Sequence, residues 1–308
     1  MPAVRTPIRL RALLVAVLSL AAATALAACG SSSDTVSSRL VSQAVSTTSN
    51  GGTFRIAISG SFRIPQLGKP IPLNGTGVVD PKTRSGRVSV DMSALSSMFG
   101  GSLGRGTAGM LRVDEVFANK VIYMKAPFYS RFLPKGKTWL RLDLAKFGKT
   151  LGINLSQLSQ FSGGDPRQTL DQLRAVSGEV KKLGSATVRG VPTTHYRGNV
   201  DLRRYPNLVP ASQRATAQQG VQRLIQLTGA STFPEDIWID GQGRVRRIAL
   251  SYAFRPKGQP TTQKLTFNEN VDIYDFGVNE RIAIPKASET LDFTQLISQL
   301  SRGRTPQQ

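Results

Sequence analysis

The stretch TFRIAISGSFRI, from Thr53 to Ile64, decides the fold class. Phe54, Ile56, Ile58 and Phe62 lie at every second position and are separated by polar or small residues. Successive side chains of a strand point to opposite faces, so this period predicts a strand with one apolar face and one polar face.

Strand character continues along most of the chain. Strands are predicted at Leu73 to Val79, Arg87 to Met92, Leu111 to Met124, Thr138 to Leu144, Gly178 to Val188, Thr193 to Leu202, Glu235 to Asp240, Val245 to Phe254 and Leu265 to Ile273. The segment Gly241-Gln242-Gly243 is a hairpin signal between two of them. The order of these strands favours a long antiparallel sheet.

Helices are predicted at fewer places. They are Arg39 to Thr48, Leu151 to Phe161, Pro166 to Val176 and Pro210 to Leu227, followed by a last amphipathic segment that contains Leu291 and Leu296. The apolar stripe of the Pro210 helix is Val221, Leu224 and Ile225. An apolar sheet face has to be covered, so we expect one α+β domain in which helices cover the sheet.

The N-terminus has the pattern of a secretory signal peptide, predicted for residues 1–28. Arg5, Arg9 and Arg11 precede an apolar run from Ala12 to Leu26, and small residues lie just before Cys29. The apolar run is short for a membrane span, which needs about 20 residues.

The sequence Leu26-Ala27-Ala28-Cys29 resembles the bacterial lipobox. The resemblance implies that the Cys29 thiol receives a diacylglyceryl group with palmitate-type chains and becomes the mature N-terminus, anchored at the outer face of the cell membrane. Cys29 is the only cysteine, so no internal disulfide forms and lipid attachment gives the thiol a role. The alternative is a plain secretory signal followed by an incidental cysteine.

The chain is strongly basic, with 40 Lys and Arg against 19 Asp and Glu and a formal charge of +21. The three arginines of the signal segment leave +18 for the mature part. No basic helix or aromatic-basic motif indicates nucleic acid. Anionic lipid head groups or wall polymers are the expected partners of this charge, unless it serves solubility alone.

Five phrases of the mature chain carry a family resemblance: GSATVRGVPTTHYRGNVD at 184–201, EDIWIDG at 235–241, RVRRI at 244–248, YDFG at 274–277 and IAIP at 282–285. In this order they resemble the actinobacterial LppX/LprG type of lipoprotein, whose fold is similar to the carrier LolA. The resemblance covers Arg39 to Asp292. We therefore expect a Ser-rich tether at residues 29–38, one domain at 39–292 and a tail at 293–308.

The resemblance implies a curved antiparallel half-barrel closed on its concave side by helices, with an apolar cavity for the acyl chains of lipid or glycolipid. The apolar strand faces fit this expectation, and each CH₂ moved from water into such a cavity gains about 0.8 kcal/mol. The candidate lining residues are Phe54, Ile56, Ile58, Val88, Val90, Ile248, Leu250, Tyr252 and Phe254. The same alternation also fits an ordinary solid core.

Catalytic patterns are weak. His195, the only histidine, lies on the polar face of its predicted strand, and no nucleophile or zinc-ligand cluster accompanies it. Residues 104–109 match G-x-G-x-x-G but lack the strand-to-helix context that dinucleotide binding requires. The adjacent carboxylates Asp114-Glu115 and Glu235-Asp236 point to opposite strand faces and form no acid–base pair on their own. No catalytic residue, metal or cofactor is predicted.

These observations predict a non-enzymatic, membrane-anchored lipoprotein that binds and transports lipid. The alternative is a surface interaction or sensory module with a filled core that binds wall polymer or a partner protein. A hydrolase is a distant third reading.

Overall fold

The computed structural model describes residues 35–63, 68–91, 93–94, 111–118, 121–127, 133–143, 170, 173–209, 211–254 and 264–296. The chain forms two compact units. In Met1–Thr35 only Thr35 is described, and Val36–Gln308 contains the architecture given below. Within the described ranges, no helix has both the length and the apolar character needed to cross a bilayer.

One 13-stranded sheet dominates the described residues. The strands are β1 (Thr35–Ser37), β2 (Phe54–Arg63), β3 (Ile71–Asp80), β4 (Ser85–Asp91), β5 (Arg112–Ala118), β6 (Val121–Lys125), β7 (Trp139–Asp143), β8 (Val176–Val188), β9 (Val191–Asp201), β10 (Thr232–Asp240), β11 (Val245–Phe254), β12 (Leu265–Tyr274) and β13 (Thr290–Asp292). Their spatial order is β1-β8-β9-β10-β11-β12-β2-β3-β4-β5-β6-β7-β13. The pairs from β8 through to β7 are antiparallel, and β13 lies parallel to β7.

Strand β2 occupies the predicted position and lies between β12 and β3 near the middle of the sheet. Its alternation is realised in the burial pattern, because Phe54, Ile56 and Ile58 are buried and the residues between them are more exposed. The α+β class and the curved antiparallel sheet with helices over its concave face are confirmed.

Helix α1 (Arg39–Asn50) follows the predicted Arg39–Thr48 helix closely and packs its apolar stripe on the sheet. Thr48 joins the two elements. Its hydroxyl donates to the Ala44 carbonyl oxygen at 2.7 Å and accepts the Val245 amide at 2.8 Å. A fully buried hydroxyl is thereby satisfied, and the start of β11 is tied to the helix.

Helix α2 (Arg214–Thr228) confirms the helix predicted at Pro210 to Leu227, with a 3₁₀ turn at Ala211–Gln213 before it. Val221 of the predicted stripe is buried in the main core, and Ile225 is half-buried against it. The side chain of Leu224 lies outside the described set.

Several predicted boundaries are wrong. The segment Leu111 to Met124 is not one strand but the hairpin of β5 and β6. The helix predicted up to Val176 ends earlier, since Leu173–Ala175 is a 3₁₀ turn and Val176 already pairs with Val200 in the sheet. Leu202, predicted as strand, begins the 3₁₀ helix Leu202–Asn207.

Other predictions meet the structure only in part. Strand β1 begins within the expected tether. The predicted helix Leu151 to Phe161 lies outside the described residues.

The main hydrophobic core lies between the concave sheet face and the helices. Glycines on the concave face allow the backbones of neighbouring strands to approach closely. A Cβ on Gly60 would lie 2.2 Å from the Asn268 carbonyl oxygen, and one on Gly77 would lie 2.4 Å from that of Arg87. A side chain would not fit at either position, so these glycines allow the close strand approach that a bent sheet requires. A smaller cluster of Leu133, Leu140, Leu291 and Leu296 closes the β7–β13 end.

Candidate functional site

The register of the strands brings the predicted lining residues onto one face. Ile58 of β2 lies opposite Val271 on one side and Gly75 on the other, and the row continues to Ile248 and Val90. The next rows contain the remaining candidates: Phe54, Ile56, Val88, Leu250, Tyr252 and Phe254. Residues from β2, β4 and β11 therefore form a continuous apolar surface.

Burial differs across this surface. Phe54, Ile56, Val88 and Ile248 are at most 2% exposed, and Ile58 and Leu250 are 7% and 6% exposed. Val90 and Tyr252 are only half-buried and pack on the edge of the same cluster. The exposure of the Phe254 side chain is outside the described set. The fully buried residues form the packed base of the concave face.

Aromatic rings line one end of the face. Phe233 meets Tyr252 edge-on, with ring centroids 4.9 Å apart, and Phe267 lies parallel to Tyr252 at 6.4 Å. All three come from neighbouring strands, since Phe267 is the register partner of Tyr252. The rings give this end a large apolar area next to the Tyr252 hydroxyl.

Two acids lie on the concave face and were not predicted as site residues, since the sequence pattern concerns Glu235 only as the neighbour of Asp236. Glu235 and Glu269 both lie opposite Leu250 from its two sides, and they are 1% and 3% exposed. A signal was present in the sequence. Glu235 shares its alternation with Phe233 and Ile237, so the same period of two that predicts the apolar face places this acid within it.

These acids have little hydrogen bonding. The Tyr252 hydroxyl donates to Oε1 of Glu235 at 3.5 Å, and within the described part of the chain Oε2 of Glu235 and Oε2 of Glu269 have no partner. Burial raises the pKa of Glu235 from 4.5 to about 8 and that of Glu269 to about 7. Burial, and then the two nearby carboxyl groups, raise the pKa of Tyr252. Near neutral pH Glu235 is therefore mostly protonated, and a large share of Glu269 is protonated as well.

A third acid of this face, Glu115, lies in the row of Ile56 and Val88. Burial raises the pKa of Glu115 as well. Acids with raised pKa values thus recur on the concave side.

His195 lies on the outer, convex face, as predicted, and is held in a structural arrangement. Its Nε2 lies 2.8 Å from Oδ1 of Asp236, which also accepts from Arg197 Nε at 2.8 Å. The imidazole stacks on Trp238 with centroids 4.1 Å apart. Glu235 and Asp236 point to opposite faces, as their spacing predicts. The contacts of His195 are with Asp236 and Trp238 on the convex face of the sheet, and no nucleophilic side chain is among them.

The convex face also has a basic pocket of about 380 Å³. Its lining residues are Arg55, Thr76, Gly77, Val78, Arg87, Ser89, Arg112, Asp114, Lys125, Trp139 and Tyr274. Glu280 binds two of its cations, with 3.0 Å to Arg55 Nη2 and 2.5 Å to Arg87 Nη2. Val78 forms an apolar floor at 2% exposure, so the pocket combines positive charge with an apolar surface.

Some predictions lie outside the described residues, namely Cys29 and the 104–109 glycine motif. Across the ranges the structure describes, no three or more His, Cys, Asp or Glu side chains gather as metal ligands would.

Comparison with known proteins gives one relative in sequence and several in structure. No family model matches the chain. Over 198 residues it is 32% identical to an uncharacterised 31.2 kDa protein from the rplA–rplJ intergenic region of Streptomyces griseus, a match that covers 63% of this chain. The match spans 58% of that relative, which is less than two thirds of its length.

Three crystal structures illustrate the structural likeness. The Mycobacterium tuberculosis lipoprotein LppX is 13% identical with a TM-score of 0.41, over 80% of this chain and 97% of LppX. LprF from Mycobacterium bovis is 11% identical with a TM-score of 0.39, over 81% and 95%. A LolA superfamily protein from Nitrosomonas europaea is 7% identical with a TM-score of 0.31, over 80% and 96%.

Proposed function

We propose that the chain is an exported lipoprotein that binds the acyl chains of a lipid or glycolipid between the concave sheet face and its helices. The observation that carries the proposal is the continuous apolar surface of β2, β4 and β11, with α1 and α2 packed against the same core. Acyl chains need a long apolar surface and no reactive group, which agrees with the absence of a catalytic pattern in the sequence.

The energetics favour such a ligand. Each CH₂ transferred from water to this surface contributes about 0.8 kcal/mol, so even a chain that is buried only in part binds measurably. The half-buried Val90 and Tyr252 lie where the packed base gives way to more open surface. We therefore place the acyl chains along the row that contains Val90, towards the aromatic end.

The location follows from the lipobox resemblance. In this proposal Cys29 carries the lipid that anchors the protein to the outer face of the cell membrane. Two or more acyl chains hold a protein firmly, whereas one is marginal. The +18 charge of the mature part then favours anionic head groups at the membrane surface.

The test is native mass spectrometry with lipid extraction, on a form that begins at Ser31 and contains the whole compact unit Val36–Gln308. The informative variant is Val90→Trp, since Val90 is half-buried and faces Gly75, which has no side chain. The matched control is Ala253→Trp, at an exposed position on the convex face of β11 that lies outside the basic pocket. We expect lipid on the wild type and the control, and loss of lipid from Val90→Trp with an unchanged melting temperature.

The opposite result identifies a solid core. Overpacking costs roughly 1–3 kcal/mol. A clear fall in the melting temperature of Val90→Trp, with no lipid in any form, would therefore reject the carrier.

The basic pocket of the convex face favours a second candidate, a module that binds anionic wall polymer. Its cations surround an apolar floor, which suits a charged group on a carbohydrate or lipid backbone. The solid-core outcome above would make this the better proposal.

A further inference from the structure

Glu235 and Glu269 lie at buried positions where a carboxyl group is less favourable for folding than an apolar side chain. Both are at least 97% buried on a mostly apolar face. Burying a carboxyl group without full hydrogen bonding is unfavourable, and such groups in native proteins call for an explanation. Each has an oxygen, Oε2, without a partner among the described residues.

The two acids form one cluster with Tyr252. They occupy the two strands that flank β11, opposite the same Leu250, so their Cα atoms lie about 10 Å apart. Tyr252 follows Leu250 by two residues on the same face and reaches Oε1 of Glu235. The cluster also adjoins the aromatic rings Phe233 and Phe267. Three polar groups thus converge at the aromatic end of the proposed acyl-chain surface.

The chain has cations available for its other acids. On the convex face of the same strands, Asp236 pairs with Arg197 and Asp272 pairs with Arg189 and Arg247. No ion pair of Glu235 or Glu269 occurs within the described ranges. The absence of a cation beside them suits a ligand group that is itself uncharged.

We propose that Glu235, Tyr252 and Glu269 form a polar binding site for the uncharged oxygen groups of the ligand, in particular the ester carbonyls of an acylglycerol. This inference rests on the proposed function, because it assigns the polar end of the lipid that the apolar surface holds.

The chemistry of the groups fits. A protonated carboxyl group has one O–H donor, and an ester carbonyl is an acceptor, so each acid can donate to one ester. Burial raises the pKa of both acids, so the protonated form of Glu235 predominates at neutral pH and that of Glu269 is well populated there and predominates in slightly acidic solution. A phosphate would meet no cation in this cluster, and a cationic lipid would be repelled by a chain of charge +18.

The test compares two lipids that differ only in the carbonyls. An equimolar mixture of dioleoylglycerol, a diester, and dioleylglycerol, the matching diether, is offered to the form beginning at Ser31. Native mass spectrometry then gives the ratio of the two complexes. We expect the wild type to prefer the diester about tenfold, the magnitude of a buried hydrogen bond.

Three variants assign the preference to the acids. Glu235→Met with Glu269→Met should lose most of the preference, because only the Tyr252 hydroxyl remains as a hydrogen-bond donor. Glu235→Gln with Glu269→Gln should keep most of the preference, since an amide N–H still donates. Glu115→Met, which removes another acid of the concave face away from Tyr252, should keep all of it.

The outcomes separate the two proposals. Equal binding of diester and diether by the wild type, or an undiminished preference in the Met pair, overturns the ester site and leaves lipid binding intact. Binding of neither lipid by the wild type overturns the proposed function and the ester site with it. If the Met pair does not fold, the wild-type ratio and the Gln pair still decide.

Discussion

Carboxyl side chains have opposite environments on the two faces of strands β10 and β12. On the convex face, Asp236 accepts from Arg197 at 2.8 and 2.9 Å, and Asp272 accepts from Arg247 and Arg189. On the concave face, Glu235 and Glu269 are more deeply buried and have no cation beside them among the described residues. One residue along a strand separates the two environments of Glu235 and Asp236.

The difference teaches that alternation assigns each acid its role. A convex acid such as Asp236 or Asp272 is partly solvated and bound by arginines of the sheet, so it stabilises the pairing of neighbouring strands. A concave acid is desolvated, so its ionised form is unfavourable, and the proposed ester site would give it a hydrogen-bond partner.

The largest expected effect that sharpens this comparison is pH-dependent. The folded-state pKa values of Glu235 and Glu269 lie above the ordinary 4.5, so the folded chain binds more protons than the unfolded chain between pH 4.5 and about 8. This contribution is fully present below about pH 4.5 and is lost as pH rises through the folded pKa values. We expect the free energy of unfolding to fall by on the order of 5 kcal/mol from pH 5 to pH 9.

Urea unfolding at a series of pH values measures how steeply the free energy of unfolding falls with pH. The pair Glu235→Gln and Glu269→Gln should flatten most of it, because an amide does not titrate. A slope that is equal in the wild type and in the Gln pair would show that these acids are not the source.

A smaller effect is expected on the convex side, at the β10–β11 hairpin. The Asp240 side chain is 3% exposed and accepts from Arg246 Nε at 2.7 Å and Arg244 Nε at 3.2 Å. Burial opposes its ionisation, but hydrogen bonds from the Arg244 amide and both guanidinium groups hold the pKa of Asp240 below its ordinary value. Asp240→Ala removes the carboxylate that both arginines bind. It should lower the free energy of unfolding, measured by urea unfolding, by about 3 kcal/mol.

Arg203→Ala is the matched control for an exposed pair. Arg203 binds Asp201 but its side chain is 64% exposed, so its removal should cost less than about 1 kcal/mol. Equal losses in the Asp240 and Arg203 variants would contradict the role assigned to burial.

The smallest of the three effects has the opposite sign. Glu269→Leu replaces a buried carboxyl with an apolar side chain of similar size and should raise the free energy of unfolding by about 1–2 kcal/mol at pH 7. Asp272→Leu, three residues further along β12 on the convex face, should lower it because Arg247 and Arg189 lose their partner. Thermal unfolding of both variants checks the signs, and destabilisation by Glu269→Leu would mean that this acid has a stabilising partner.

The shared face of the candidate lining residues could be predicted in part from the sequence. The period of two placed Phe54, Ile56 and Ile58 on one face, and register then joined them to Val88 and Ile248. The buried acids could not be predicted in the same way, because the spacing of an adjacent pair such as Glu235-Asp236 shows only that the two side chains point to opposite faces. Glu269 and Tyr252 come near Glu235 only through the pairing of three strands, which no local pattern contains.

The sequence by itself determined the local structure, since side-chain alternation and helical periodicity depend on neighbouring residues. It placed β2, β11, α1 and α2 within a few residues of their bounds. Only the tertiary structure decided that β12 lies beside β2 rather than at an edge, that β13 joins β7 in parallel, and that two distant glutamates share a buried row. These contacts depend on strand order, and strand order is set by the burial of the whole apolar face at once.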